Sequence, residues 1–160
     1  MQIEIKPAYD DEENIITLFT EYTLMLADVR SDIGKYLDLQ NYDHELGHLG
    51  EKYGLSNGRL LIAYADGKAV GCIALRKLNE TECEMKRLYI RPEFRRSGIA
   101  RQLAQKLLSE AREIGYQAML LDSVPELIPA LKFYEKLGFY HIPPYNDSPV
   151  INTVFMKKDL

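Results

Sequence analysis

The chain has 160 residues and a formal net charge of −4, and 46% of its residues are apolar and 28% charged. This length fits one domain with an ordinary core, and the composition is typical of a soluble globular protein. The negative charge argues against general nucleic-acid binding. No apolar run approaches a membrane span, and the start, MQIEIKPAYD, lacks the basic-then-apolar order of a signal peptide.

The predicted elements begin with a strand, QIEIKPA, in which polar and apolar residues alternate up to Pro7. One helix is predicted from Asp10 to Asp28 and a second from about Asp32 to Tyr53. Their apolar stripes are Ile15, Leu18, Phe19, Tyr22 and Leu26 in the first, and Leu39, Tyr42, Leu46, Leu49 and Tyr53 in the second. The strands RLLIAYAD and KAVGCIALRKL follow, joined at Asp66-Gly67, and ECEMKRLYI is a third antiparallel strand that ends before Pro92.

The second half of the chain predicts a helix over 98–114, then the short strand YQAMLLD. The apolar positions of this helix are Ile99, Leu103, Leu107, Ala111 and Ile114, and Gly115 ends it. A loop over 123–128 leads to a helix with Pro129 at its first position and Gly138 as its stop. FYHI and INTVFMKKDL are the closing strands. The order predicts an α+β fold with a mixed seven-stranded sheet covered by helices.

The two cysteines, Cys72 and Cys83, fall in predicted strands of one hairpin that turns near Asn79. In that register Cys83 lies opposite a residue near Lys77, so a disulfide to Cys72 is not expected. We predict two buried thiols in a reducing compartment, and the cytoplasm is the expected location.

The sequence HELGH, residues 44–48, has the spacing of a zinc-hydrolase motif. Both histidines lie on one face of the predicted helix, about 160° from Leu46 at the centre of its apolar stripe. A catalytic zinc needs a third protein ligand and a shielded site. The other histidine is His141, and no downstream helix offers an acidic ligand in a recognisable setting. We therefore expect no metal here, and a zinc hydrolase is not favoured.

The stretch MKRLYIRPEFRRSGIARQLAQKLLSEARE predicts a strand, a basic loop and a helix that opens at Gly98. The first turn of a helix has amide groups without internal partners and carries the positive end of the dipole. Gly98 allows a ligand to approach those amides, and Arg95, Arg96 and Arg101 add positive charge. This arrangement favours a diphosphate site. The alternative is an arginine-rich loop that merely begins a helix.

RRSGIA resembles the R/Q-x-x-G-x-G/A signature of the GNAT superfamily of acyl-CoA N-acyltransferases. YQAMLLD and FYEKLGF follow it in the order typical of that family, and the clear resemblance covers about Arg59 to His141. The resemblance implies a mostly antiparallel sheet, splayed between strands 4 and 5 and flanked by about four helices. It also implies a single N-acetyltransferase domain over residues 1–160.

The family resemblance implies that acetyl-CoA, as co-substrate, lies between strands 82–90 and 117–122. The signature amides are expected to hold its pyrophosphate, and strand 4 its pantetheine arm. The implied coenzyme-binding residues are Leu88, Tyr89, Ile90, Arg95, Arg96, Ser97, Gly98, Ile99, Ala100, Arg101 and Phe133. Many relatives carry an asparagine where this chain has Leu127 between two prolines, so that coenzyme contact is not carried over.

Two residues are implied in catalysis. Tyr134 matches the family tyrosine that protonates the CoA thiolate, and its alternative role is core packing. Glu84 lies where some relatives place a catalytic glutamate, and burial there is expected to raise its pKa toward that of a useful base; the alternative is a surface carboxylate beside Lys86. The oxyanion is expected to accept a hydrogen bond from a backbone N–H near Leu88 or Tyr89. Other candidate bases are Glu82, His44, His48 and Tyr145.

The candidate acceptor contacts are His44 and His48 on one side of the cleft, and Tyr145 and Asn146 of IPPYNDSP on the other. Their alternatives are a solvent-exposed helix face and a rigid loop. The expected function is transfer of an acetyl group to a primary amine of a small molecule, by direct attack in a ternary complex. We expect a monomer or homodimer with no nucleic-acid or membrane partner. A non-catalytic acyl-CoA-binding module and a protein N-acetyltransferase are the alternatives.

Overall fold

The computed structural model describes residues 1–39 and 41–160, except for the side chains of residues 36 and 39. The strands are β1 (Ile3–Pro7), β2 (Arg59–Ala65), β3 (Lys68–Lys77), β4 (Glu82–Ile90), β5 (Ala118–Ser123), β6 (Tyr140–His141) and β7 (Val154–Asp159). The helices are α1 (Glu12–Val29), α2 (Ile33–Leu39), α3 (Tyr42–Gly47), α4 (Leu49–Tyr53), α5 (Ile99–Ile114) and α6 (Ile128–Lys136). A 3₁₀ turn over Pro92–Phe94 precedes α5.

The seven strands form one sheet in the order β1-β2-β3-β4-β5-β7-β6, and every pairing except that of β4 with β5 is antiparallel. The parallel pairing of β4 and β5 ends at Glu84 opposite Leu120. Beyond that pair β4 continues to Ile90 and β5 to Ser123, so the two strands separate. The predicted α+β fold, with a mixed, mostly antiparallel seven-stranded sheet splayed between strands 4 and 5, is confirmed.

Helices cover both sides of the sheet and create two main cores. We call the sides the α5 face, covered by α5, and the α1 face, covered by α1, α3 and α4. The core of the α5 face includes Leu61, Ile73, Met85, Leu103 and Met119. The core of the α1 face includes Phe19, Tyr53, Ile62, Cys72 and Tyr89. Since successive strand residues point to opposite faces, each central strand contributes to both cores.

The single long second helix predicted from Asp32 to Tyr53 is wrong, because this segment forms the three short helices α2, α3 and α4. The backbone leaves the helical conformation at Asn41, which has a φ of 56°, and at His48, which has a φ of −143°. Asparagine tolerates the left-handed region better than most residues. The structure therefore has six α-helices among its described residues, not about four. The predicted stripe position Leu39 lies outside the described side chains.

Both cysteines are free and buried, and Cys83 lies opposite Lys77 in the β3–β4 register, as predicted. Burial raises the pKa of both thiols, that of Cys83 to about 12. Neither is therefore a reactive thiolate near neutral pH. Within the described residues, no helix combines the length and the apolar character that crossing a lipid bilayer would require.

Gly71 on β3 gives a test of the tight packing between β3 and β4. A Cβ at this position would lie 2.6 Å from Ile90 Cδ1 and 3.0 Å from the Tyr89 carbonyl oxygen. Gly71→Ala should therefore lower the free energy of unfolding by about 1–3 kcal/mol, measured by urea denaturation. The matched control is Gly34→Ala in α2, where a Cβ meets nothing within 4 Å. It should be neutral or stabilising by up to about 1 kcal/mol, and equal urea midpoints for the two variants would contradict the prediction.

Candidate active site

The N-terminus of α5 presents free backbone amides. Gly98 is the N-cap residue, with a φ of 85° and no side-chain capping bond. The first helical hydrogen bond runs from the Gln102 N–H to the Gly98 carbonyl oxygen. The three amides between them therefore lack intrahelical partners. A Cβ placed at Gly98 meets nothing within 4 Å, so the space in front of these amides is open.

Basic side chains surround this helix start. Arg96 and Arg101 are exposed. Arg95 folds back onto the end of β4, where its Nε donates to the Ile90 carbonyl oxygen at 3.0 Å and its guanidinium lies 5.9 Å from the centre of the Tyr89 ring. Ser97 donates its hydroxyl to the Phe94 carbonyl oxygen. Free amides, the positive end of the helix dipole and nearby arginines can together hold a diphosphate.

A β-bulge interrupts β4 just beyond the point where it leaves β5. Lys86 pairs with Ala74 and Tyr89 with Cys72, so Arg87 and Leu88 together stand opposite Ile73. Arg87 has a φ of 60°. Bulges release backbone groups from the ladder and redirect side chains. The bulge was not predicted from the sequence, since no glycine marks it.

Buried charged residues lie on the α1 face of the sheet, next to the bulge of β4. Glu45, Glu84, Lys86 and Arg87 are all buried, and we call these four residues the charged layer. Glu84 and Lys86 alternate on β4 with Cys83 and Met85, which pack in the core of the α5 face. The strand pattern thus directs Glu84 and Lys86 to the α1 face.

Glu45, the glutamate of HELGH, forms the best-paired part of the charged layer. Arg87 binds it with two hydrogen bonds, Nε to Oε2 at 3.0 Å and Nη2 to Oε1 at 2.9 Å, and Lys52 Nζ donates to Oε1 at 2.8 Å. Burial acts to raise the pKa of Glu45, but these two cations outweigh it and lower the pKa to about 2. Glu45 is therefore an ionised link between α3 and the bulge of β4.

Glu84 is held by partners on both of its oxygens. Arg76 Nε donates to Oε1 at 2.7 Å, and the Tyr145 hydroxyl donates to Oε2 at 2.6 Å. Burial acts to raise the pKa of Glu84, but the charges of Lys86 and Arg76 and these hydrogen bonds lower it below its ordinary value. The expected upward shift is therefore wrong, because the positive charges of Lys86 and Arg76 outweigh the effect of burial on the pKa of Glu84.

Lys86 is 6% exposed, and its ion pair with Glu84 has a distance of 3.8 Å between Nζ and Oε1. Burial and the neighbouring Arg87 lower the pKa of Lys86 to about 8, against the opposing effect of Glu84 and Asp122. Asp122 belongs to β5 and lies two residues beyond the last β4–β5 pair. Lys86 and Asp122 thus flank the gap between the separated strands.

Tyr134 on α6 is buried, and its ring packs beside Phe133 and Phe139, with ring centres 5.9 Å and 6.1 Å away. Burial raises the pKa of Tyr134, and Tyr22 and Asp122 raise it further. The phenol therefore stays protonated. No described residue forms a hydrogen bond with its hydroxyl.

The loop over 142–149 contacts both strands at the gap. Tyr145 reaches Glu84, and Asn146 Nδ2 donates to Asp122 Oδ2 at 2.8 Å. Glu82, a further candidate base, lies instead at the paired end of β4 with Lys157 and Asn79. The structure therefore brings Tyr145, Asn146 and Glu84 together and leaves Glu82 apart from them.

The HELGH histidines are exposed and stacked, with ring centres 4.0 Å apart and an interplanar angle of 6°. Glu51 is a third potential metal ligand that was not predicted from the sequence. Ligand atoms of His44, His48 and Glu51 all lie within 4.8 Å of one another. A metal–imidazole bond lies in the ring plane, so two parallel rings cannot both bind one ion without rotation. In the observed arrangement His44 Nε2 lies 2.8 Å from Glu51 Oε2 instead.

These histidines border a surface hollow of about 250 Å³. Its lining residues are Asn41, His44, Glu45, His48, Glu51 and Lys52. Because Glu45 also binds Arg87, the hollow adjoins the charged layer. A contact of His44 or His48 with an acceptor stays a prediction.

Most of the charged residues on the α1 face were not predicted from the sequence to be site residues. These are Glu45, Arg76, Lys86, Arg87 and Asp122. One observation could have found some of them: ECEMKRLYI places charged residues at alternate positions of a strand predicted to lie inside a covered sheet. Buried charges of this kind are rare unless paired, and they are common at functional sites.

Comparisons with known proteins agree on one family. The model of the acetyltransferase (GNAT) family matches residues 22–139. An uncharacterized N-acetyltransferase of Schizosaccharomyces pombe is 33% identical over 142 residues, which cover 88% of this chain and 87% of that protein. An acetyltransferase from Streptococcus agalactiae has a similar structure, with a TM-score of 0.79, 21% identity and coverage of 99% and 98% of the two chains. The PaiA N-acetyltransferase of Thermoplasma acidophilum, solved with coenzyme A, gives a TM-score of 0.75 and 21% identity over the whole of both chains.

The pKa of Glu45 leads to a prediction about stability and pH. A carboxylate with a lowered pKa stabilises the fold above its unfolded pKa, near 4.5, and this stabilisation is lost as the pH falls toward 2. The stability advantage of the wild type over Glu45→Gln should therefore shrink by up to about 3 kcal/mol between pH 6 and pH 2. Urea denaturation at several pH values measures it.

The control for that experiment is Glu113→Gln, which removes an exposed carboxylate of α5. Its stability difference from the wild type should stay nearly constant over the same pH range. A constant difference for Glu45→Gln as well would show that the ion pair with Arg87 does not contribute to stability.

Proposed function

The chain belongs to the acetyltransferase (GNAT) family, and from this premise we propose that it transfers an acetyl group from acetyl-CoA to a primary amine of a small molecule. The attack is direct, in a ternary complex of enzyme, acetyl-CoA and amine. The observation that carries the proposal is the gap between β4 and β5, which lies beyond the parallel pair Glu84–Leu120 and has the buried Glu84 and Lys86 on β4 and the half-buried Asp122 on β5.

The coenzyme part of the proposal rests on the open start of α5. The amides after Gly98 would bind the pyrophosphate, with Arg96 and Arg101 beside them. The end of β4, from Leu88 to Ile90, would pair with the pantetheine arm, and Phe133 would pack against it. The coenzyme A complex of the Thermoplasma acidophilum protein, which has a similar fold, supports this coenzyme class.

The acceptor amine must lose a proton before and during the reaction. An alkyl ammonium with a pKa near 10.4 is neutral in only about 1 molecule in 2,500 at pH 7, which corresponds to about 4.6 kcal/mol. We assign the proton acceptor to Glu84. Because its pKa is lowered, Glu84 is a weak base. The ammonium would release its first proton to solvent before attack, and Glu84 would accept the second once C–N bond formation has made the attacking nitrogen more acidic.

The leaving thiolate of CoA needs a proton as the tetrahedral intermediate collapses. Tyr134 is assigned this role, since its raised pKa keeps the phenol protonated and no described residue competes for its hydroxyl. The oxyanion would accept a hydrogen bond from a backbone N–H released by the bulge at Arg87 and Leu88.

A coupled assay tests the function directly. CoA release, corrected for hydrolysis, is measured with acetyl-CoA and a panel of primary amines. Release that depends on one amine, together with the acetylated product by mass spectrometry, is the expected result. Tight acetyl-CoA binding without release for any amine would instead favour a non-catalytic binding module. Release with peptide N-termini only would favour a protein N-acetyltransferase.

Tyr134→Phe should lower kcat about 100-fold or more, as expected for loss of a general acid, with little change in the Kd for acetyl-CoA. Turnover kinetics and calorimetry measure the two quantities. The matched control is Tyr140→Phe, which removes an exposed hydroxyl on β6 that binds Asp159. Unchanged turnover in Tyr134→Phe, with chemistry rate-limiting, would remove Tyr134 from the mechanism.

Gly98→Ala tests the phosphate site, and Gly115→Ala is its matched control. Both glycines have positive φ, 85° and 110°, and lie at opposite ends of α5 with open space around them. Each substitution should cost about 1–2 kcal/mol of stability. Only Gly98→Ala should raise the Kd for acetyl-CoA, by about tenfold or more, since the new methyl group keeps phosphate oxygens away from the amides. Equal affinities for the two variants would place the coenzyme elsewhere.

A further inference from the structure

Lys86 is a buried cation whose bonding capacity is largely unused. Its side chain is 6% exposed, and the partner in its ion pair, Glu84 Oε1, is 3.8 Å away. That distance is too long for a hydrogen bond. No described residue forms a hydrogen bond with Nζ. An ammonium group has three N–H donors, and Nζ is not among the fully buried atoms without a partner, so these donors are open to solvent or to a ligand.

The carboxylates around Lys86 are already engaged by other groups. Glu84 Oε1 accepts from Arg76 and Oε2 accepts from Tyr145. Both oxygens of Glu45 accept from Arg87, and Lys52 also donates to one of them. Lys86 is therefore the member of the charged layer that lacks a carboxylate at bonding distance.

Cations and carboxylates lie close together on this part of the α1 face. Four cations, namely Arg76, Lys86, Arg87 and Lys52, are paired with two carboxylates, Glu45 and Glu84. Asp122, half-buried at the edge of the gap, adds a third negative charge. Lys86 and Arg87 are thus two buried cations next to the gap, where Lys86 can bind an anionic group of a ligand.

The position of Lys86 shows where such an anion would lie. Lys86 is two residues beyond Glu84, the last β4 residue paired to β5, and Asp122 is two residues beyond its partner Leu120. Both therefore lie on the α1 face, where the strands have separated. The gap thus carries a cation on one strand and a carboxylate on the other.

We infer that Lys86 anchors the carboxylate of the acceptor, so that the acceptor is an amino acid or a closely related amino acid-like zwitterion. Its ammonium group would lie toward Asp122 and Glu84, and its carboxylate would bind the Lys86 ammonium. This inference rests on the proposed function and specifies its acceptor class. Polyamines and other multiply cationic amines are disfavoured, since they have no carboxylate for Lys86 and would bring a further cation toward Lys86 and Arg87.

Calorimetry on the full chain saturated with CoA tests this inference without requiring turnover. The probes are the twenty standard L-amino acids, the corresponding amino acid amides, and putrescine and spermidine. At least one amino acid should bind, and its amide, which lacks the carboxylate, should bind about 10- to 100-fold more weakly. Failure of every amino acid to bind, or tighter binding of the amide or of the polyamines, would overturn the inference.

Two substitutions of Lys86 separate charge from other roles. Lys86→Met should weaken binding of that amino acid about 10- to 100-fold and leave binding of its amide unchanged, whereas Lys86→Arg should retain most of the affinity because the cation is kept. The matched control, Lys136→Met, removes an exposed lysine on α6 and should bind like the wild type. Unweakened binding in Lys86→Met would overturn the inference, and retained CoA binding confirms that the variant is folded.

The outcome also separates this inference from the proposed function. An amino acid that binds through Lys86 but is never acetylated would contradict the transferase and leave the anchor intact. Acetylation of polyamines in preference to amino acids would contradict the anchor and leave the transferase intact.

Discussion

The short parallel contact between β4 and β5 is the constraint on which the rest of the site depends. Two strands that pair only as far as Glu84 and Leu120 must separate beyond that point, because β4 bulges at Arg87 and β5 stays paired with β7. The separation exposes backbone groups inside the sheet and lets residues of both faces approach one gap. Tyr134 belongs to the core of the α5 face, and yet it is close enough to Asp122 of the α1 face for that carboxylate to raise its pKa.

Buried ion pairs link the elements around this opening and place charged groups at it. The pair of Glu45 with Arg87 ties α3 to the bulged strand, and Glu84 ties β3, β4 and the loop after β6 together through Arg76 and Tyr145. Breaking a buried pair is strongly destabilising, whereas the pair itself adds little net stability. Such groups are better explained by what they position than by what they contribute to folding. In this chain they position a carboxylate and an ammonium group at the gap between the strands.

The role of HELGH depends on the helix that carries it. Its two histidines are exposed, whereas its glutamate, Glu45, is buried and bound by Arg87 and Lys52, so Glu45 is not available as a base beside a metal held by the histidines. The expected exposed position of the histidines holds. The apolar stripe also holds at Tyr42, Leu46, Leu49 and Tyr53, which all pack in the core of the α1 face. The continuous helix does not hold, because the chain leaves the helical conformation at Asn41 and again at His48. A break of this kind depends on packing against the sheet, which local periodicity does not record.

The sequence by itself determined the order of strands along the chain, the extent of α1 and α5 to within about two residues, the hairpin at Asp66-Gly67 and the family. These features depend on local periodicity, turn residues and a short signature around Gly98. Tertiary structure decided the bulge at Arg87, the division of the segment before β2 into three helices, and the partners of Glu84 and Lys86. Those features depend on residues far apart in the chain, such as Glu45 with Arg87 and Tyr145 with Glu84. The direction of the Glu84 pKa shift follows from the same cause, since two cations from other positions outweigh the effect of burial.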